Sequence, residues 1–255
     1  MTTTPYIFLT TKPQRRLISK DHPELLVIAA GEAITSPTLK VVVTFTDATT
    51  ESFDLIASGS LTLRAGESHC FNVGYDQYNY DAYNTSKTVK SFIIRVESAD
   101  FTDQAAQDYI EYYPRKFESD TLKSLYYSNS QGGIDSLICT GDQTEANEQT
   151  GIITAQPIES VYDQATAQFK YTDPRIRKNI STNTGFKPGK EIFALQDLFK
   201  SEKVYEYTSV TGGIQRVPVI MQGEGVTLPS ERSNLKQLQI SYKYAFEDKV
   251  IDRIL

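Results

Sequence analysis

The sequence predicts a mainly β protein of two β-sandwich-like domains, the second with one short helix. Three observations predict it: apolar residues recur with period two in several segments, clusters of Gly, Asn, Asp, Ser and Thr separate those segments at sandwich spacing, and a single strong helical stripe interrupts them. The aromatic content agrees. Sixteen Tyr and twelve Phe, with no Trp and two Met in 255 residues, place the bulky side chains where a pleated, half-buried surface accommodates them.

In chain order, strands are expected at Leu25–Ala30 and at residues 41–46, where Val41, Val43 and Phe45 alternate with Thr44 and Thr46. Others follow at 52–56, 60–64 and 69–73, and then at 89–97, where Phe92, Ile94 and Val96 alternate with Arg95 and Glu97. A polar, acidic stretch at 98–107 reads as a linker, dividing the chain into an N-terminal β-domain (1–104) and a C-terminal β-domain (105–255). A weak helical pattern covers 103–108. The second domain is expected to hold strands at 109–113, 122–127, 167–171, 204–207 and 217–221. Within 125–142, LYYSNSQGGIDSLICTGD, the pattern is strand, Gly-Gly turn, strand. Ile192, Leu195, Leu198 and Phe199 form the helical stripe, so a helix near 190–200 follows the Pro188–Gly189 turn. The last strand is the most regular: Leu238, Ile240, Tyr242, Tyr244 and Phe246 share one face, and Gln237, Gln239, Ser241, Lys243 and Glu247 the other.

Composition excludes several function classes. A formal charge of −6 and a pI near 5.1 leave no basic face for nucleic acid. The longest apolar run, Leu25–Ala30, is far short of the ~20 residues that cross a bilayer, and no basic-then-apolar leader opens the chain. A soluble protein made in a cytoplasm, with no membrane partner, is expected. Cys70 and Cys139 are expected as free buried thiols, with a disulfide between them left open by the sequence.

Acid–base and nucleophilic chemistry have little to work with. His22 sits in a polar DHPE turn, and His69 adjoins Cys70 in a strand, where neighbouring side chains point to opposite faces and cannot pair. No metal-ligand spacing is present. Residues 185–190, GFKPGK, lack the phosphate-loop spacing, and Pro188 removes a donor, so they read as a loop leading to the helix. Carboxylates could come together from distant strands for glycoside cleavage, but nothing in the sequence selects a pair. No catalytic residue, cofactor or metal is therefore expected. The one binding candidate is the loop 74–86, GYDQYNYDAYNTS, in which Tyr75, Tyr78, Tyr80 and Tyr83 alternate with Asp and Asn. Exposed tyrosines of this kind serve a protein interface or stack on sugar rings.

Several motifs carry a resemblance. The stretch from Tyr127 to Gly141 resembles the "large residue, N-S-x-G-G, short strand, T-G" signature of tail-associated and collar structural proteins in phages and prophages of Bacteroidetes. Asp197 to Tyr205, DLFKSEKVY, is similar to that family's "D-L-F-x-S-x-x-V-Y" element, Val217–Pro218–Val219 to its "V/I-P-V" strand, and 233–246 to its closing aromatic strand. The likeness covers about residues 105–255. Two departures are the missing tryptophans and Gln131, which stands where a large residue is usual.

The resemblance implies a non-enzymatic virion protein of the phage tail, baseplate or head–tail connector, with a crAss-like podovirus as one source. It implies assembly in the host cytoplasm into a homo-oligomeric ring beside other tail, portal or collar proteins. Residues 74–86 and 145–151 are the expected contact loops. The alternative is a carbohydrate-binding adhesin module that uses the tyrosine loop on host surface glycans.

Overall fold

The computed structural model describes residues 6–20, 23–56, 63–75, 86–98, 109–116, 122–155, 169–210, 213–223, 235–246 and 248–249. It is mainly β, with sandwich-like layers and one short helical stretch, as the periodicity predicts.

The first core lies between two sheets. One has three strands, in the order β1 (Tyr6–Phe8), β3 (Leu25–Ala30), β6 (Ser68–Asn72). The other has five: β2 (Arg15–Ser19), β8 (Ile110–Arg115), β7 (Val89–Glu97), β4 (Thr38–Phe45) and β5 (Thr50–Ile56). Strict alternation decides which groups face inward. Leu39, Val41, Val43 and Phe45 of β4 are buried, and Phe92, Ile94 and Val96 of β7 lie beside them, against Leu26 and Ile28 of the opposing sheet. Phe92 stacks on Tyr112 with ring centroids 5.1 Å apart. The pairing β2–β8 is parallel, whereas the other ladders of both sheets are antiparallel.

The second core lies on one face of an eight-stranded antiparallel sheet. Its order is β10 (Ile134–Cys139), β9 (Lys123–Ser128), β14 (Val204–Val210), β15 (Gly213–Gln222), β17 (Gln239–Tyr244), β12 (Phe169–Asn183), β11 (Gln143–Ala155), with β18 (Asp248–Lys249) also pairing with β12. A two-stranded ladder of β13 (Lys187–Pro188) and β16 (Leu235–Lys236) lies beside the helical stretch. The expected helix near 190–200 is present as α1 (Gly189–Ala194) and α2 (Gln196–Lys200), broken at Leu195. There the amides of Leu195 and Leu198 bond three residues back instead of four, which tightens the turn. Ile192, Leu195 and Leu198 cover Leu125, Tyr127, Leu137 and Ile240 of the sheet.

Three expectations are corrected. The strand at 110–115 pairs with β2 and β7, and Ile110 and Tyr112 belong to the first core, so the described chain changes cores between Arg115 and Lys123 rather than at residue 104. Residues 145–151 are not a loop: they belong to β11, a strand of thirteen residues hydrogen-bonded to β12. Cys139 is a buried free thiol as expected, but Cys70 is an exposed one. The weak helical pattern at 103–108 lies outside the described residues.

Leu198 joins the helical layer to the sheet and is fully buried. Leu198→Ala should lower stability by about 2–5 kcal/mol, the range for leucine truncation in a core. Urea denaturation tests this as a fall in midpoint at unchanged slope.

Candidate functional site

The residues of greatest chemical content collect where the two cores meet. The turn after β9 sits at the centre. Asn129 is buried, and all four of its side-chain hydrogen-bonding positions are used. Its Oδ1 accepts from the amides of Gln131 (3.1 Å) and Gly133 (2.8 Å), closing the turn locally. Its Nδ2 donates to the Leu9 carbonyl (3.0 Å) and to Asp135 Oδ2 (2.9 Å), which ties the turn to the N-terminal segment.

The two glycines have different duties. Gly132 has φ +85° with open space around it, so it supplies a left-handed conformation. Gly133 lies so close to Leu9 that a β-carbon would fall 1.9 Å from the Leu9 carbonyl oxygen; it supplies the close approach.

Asp135, next on β10, is 1% exposed and accepts four hydrogen bonds. Thr10 Oγ1 donates to Oδ1 (2.5 Å), while Thr11 N (3.0 Å), Thr11 Oγ1 (2.9 Å) and Asn129 Nδ2 (2.9 Å) donate to Oδ2. Beside it, Ser136 Oγ accepts from Lys12 Nζ (2.7 Å) and donates to buried Glu24. Lys12 Nζ also reaches Glu24 Oε1 (3.4 Å), and Arg16 Nη1 lies 3.8 Å from the same oxygen. Tyr126 donates from its hydroxyl to the Pro23 carbonyl. Two carboxylates and two cations thus share one buried polar seam between the halves, with backbone and hydroxyl groups completing the coordination. Burial pushes the Asp135 carboxyl up, but Lys12 and the donors from Thr10, Thr11 and Asn129 outweigh it and hold it below 3.8. Burial lowers the Lys12 ammonium pKa, an effect that Glu24 opposes without overcoming.

The same turn is held from its other side by α2 and the residues after it. Asp197 Oδ2 accepts from Ser130 N (3.0 Å) and Ser130 Oγ (2.9 Å), and Ser201 Oγ accepts from Ser128 N (3.1 Å). The two sequence motifs that carry the resemblance, 128–133 and 197–201, are therefore in direct contact. Neither one's spacing reveals that partnership.

A second buried carboxylate, Glu206, lies inside the C-terminal core. It takes Lys123 Nζ at 2.8 Å and the Tyr242 hydroxyl at 2.9 Å. Burial and the adjacent carboxylate keep Tyr242 protonated far above the usual phenol range. Burial pushes the Cys139 thiol up to about 12, so it is no nucleophile at neutral pH. His69 packs in a stacked arrangement on Phe71, with Nε2 3.6 Å from Glu67. Among the described residues no group of three or more His, Cys, Asp or Glu could hold a metal ion. No described helix is long and apolar enough to cross a membrane.

Of the four tyrosines expected at an interface or glycan site, Tyr75 is not a surface group. It is 2% exposed within the first core, its ring 6.3 Å from Phe92 and under the Lys20 ammonium at 4.5 Å. Asn72 accepts from the Gly74 amide, and Val73 donates to the Glu24 carbonyl, which anchors the segment just before Tyr75 to the body of the domain. Tyr78, Tyr80 and Tyr83 lie outside the described residues.

β11 is exposed along most of its length and forms a long ladder with β12. β12 pairs with β17 at residues 179–183 and with β18 at Arg175 and Ile176; the described residues farther out pair with β11 alone. β11 spans about 40 Å at the usual strand rise. No strand pairs with its outer edge among the described residues. A bulge at Gly151 precedes Ile152 and Ile153, which are 70% and 59% exposed. Consecutive strand residues point to opposite faces, so both faces of the hairpin present an isoleucine. The sequence, read as a loop here, hid this strand because its polar residues face water on both sides.

No protein-family model, curated protein or solved structure matches this chain.

Two outcomes test the seam. Gly133→Ala should destabilise the protein more than Gly132→Ala, for which a cost of about 1–2 kcal/mol is expected from the left-handed backbone alone; paired thermal melts compare them. The depressed Asp135 pKa contributes stability that is complete above 3.8 and is lost as pH falls through the folded-state value. Acid titration of unfolding should therefore show a smaller loss below pH 3.8 in Asp135→Asn than in the parent protein.

Proposed function

We propose that this protein is a structural component of a phage virion, in the tail, baseplate or head–tail connector, which acts by assembling into a ring rather than by catalysis. The observation that carries the reading is the β11–β12 hairpin. A long edge strand with two outward isoleucines, and no charged residue from 149 to 155, invites strand addition or apolar docking unless another chain covers it.

A neighbouring copy of the same chain is the occupant. Each copy has a second edge in its other half, β5, which no strand covers on its outer side among the described residues. Two different edges on one molecule suit a head-to-tail contact, and such contacts close into rings when the rotation per copy permits. The resemblance of 127–141 and 197–205 to motifs of Bacteroidetes phage tail and collar proteins supports the same reading, since the turn at 128–133 and residues 197–201 lie at the junction of the two halves. The glycan-binding reading has lost Tyr75, one of its four named contacts.

Mass photometry and negative-stain microscopy of purified protein test the proposal. The parent chain should form closed oligomers, and Ile152→Glu with Ile153→Glu should leave a folded monomer. A parent chain that stays monomeric at high concentration, or a double variant that assembles normally, would refute it.

A further inference from the structure

Between the halves lies a cavity of about 30 Å³, whose walls include Lys12, Arg16, Tyr127, Ser136, Lys187 and Glu191. Two of these side chains are buried and carry hydrogen-bond donors with no acceptor. Arg16 is 4% exposed; its Nε donates to the Pro13 carbonyl and its Nη1 to Thr10 Oγ1, but its Nη2 has no hydrogen-bond partner among the described residues. The Tyr127 hydroxyl, 1% exposed as a residue, has none either. Burial keeps that phenol protonated, so it remains a donor. Buried donors without acceptors are costly, and two on one small cavity call for a shared acceptor.

The nearby carboxylates do not supply it. Asp135 is saturated by its four donors, and Glu24 is engaged by Ser136 and Lys12. Of the three cationic side chains in the walls, Lys187 lies 3.7 Å from Glu191 and Lys12 3.4 Å from Glu24, while Arg16 stands farther off, 3.8 Å from that same Glu24 oxygen. The volume suits something the size of one or two waters. A water could accept from both donors but would need acceptors for its own two protons. A halide accepts on every side.

We propose that this cavity binds one chloride-sized inorganic anion, held by Arg16 Nη2 and the Tyr127 hydroxyl, and that the anion joins the two halves. Arg16 comes from the N-terminal core's β2 and Tyr127 from the C-terminal core's β9, so a bound anion bridges them. The inference is independent of ring assembly.

Thermal melts of the full chain in sodium chloride, sodium bromide and sodium gluconate at equal ionic strength provide the test, with diffraction from crystals grown in bromide. The melting temperature should rise with the logarithm of halide concentration beyond the gluconate baseline. Tyr127→Phe removes only the hydroxyl and should abolish most of that increment. Bromide should give an anomalous peak within hydrogen-bond distance of Arg16 Nη2. An equal rise in gluconate, an increment unchanged in Tyr127→Phe, or a cavity holding only water in bromide would each overturn the proposal.

Discussion

The carboxylate of Asp135 is the constraint around which the two halves are arranged. It is buried, charged and satisfied by groups from both sides of the seam: Thr10 and Thr11 from the N-terminal segment and Asn129 from its own hairpin. Withdrawing the N-terminal segment would leave that charge in a low-dielectric setting with most of its donors gone, and Glu24 would lose Ser136 at the same time. Buried ion pairs contribute little net stability when compared with apolar packing, yet breaking one is expensive. Such a seam therefore fixes one mutual arrangement more than it strengthens the whole. Packed apolar faces alone would permit sliding; hydrogen bonds to named atoms do not.

The hairpin turn 128–133 explains why this arrangement is reached with so short a motif. Asn129 closes the turn with its oxygen and reaches outward with its nitrogen, so one side chain sets local geometry and tertiary contact together. Gly133 lets the Leu9 backbone lie against it, and Asp197 and Ser201 hold the far side through Ser130 and Ser128. A motif with no reactive group is thus explained by position. It is a junction where three stretches of chain, distant in sequence, are locked to one another.

A body fixed in this way can carry an extended arm without losing shape. The β11–β12 hairpin leaves the sheet with isoleucines on both faces, while Glu145 is tied to Lys178 and Lys123 nearer the sheet. The outer half of β11, from 149 to 155, carries no charge of its own. Tyr75, Tyr112, Tyr126, Tyr127 and Tyr242 follow the opposite course and are all interior groups.

Period-two patterning by itself determined the β class, most strand positions and the inward faces of β4, β7 and β17, because alternation depends only on the pleat and on which side meets water. The helical stripe at 192–199 and the Gly-Gly turn were equally legible, since both rest on local geometry. Sequence could not place β8 in the first core, for its parallel partner β2 lies about a hundred residues earlier and no local signal encodes that pairing. Nor could it reveal β11, whose polar residues lack the alternation that burial imposes. The seam was invisible for a further reason: Thr10, Lys12, Arg16, Glu24, Asn129 and Asp135 are ordinary surface residue types, and their chemistry appears only when folding removes them from water together. Tertiary structure alone decided that, because burial and partnership are properties of the assembled chain.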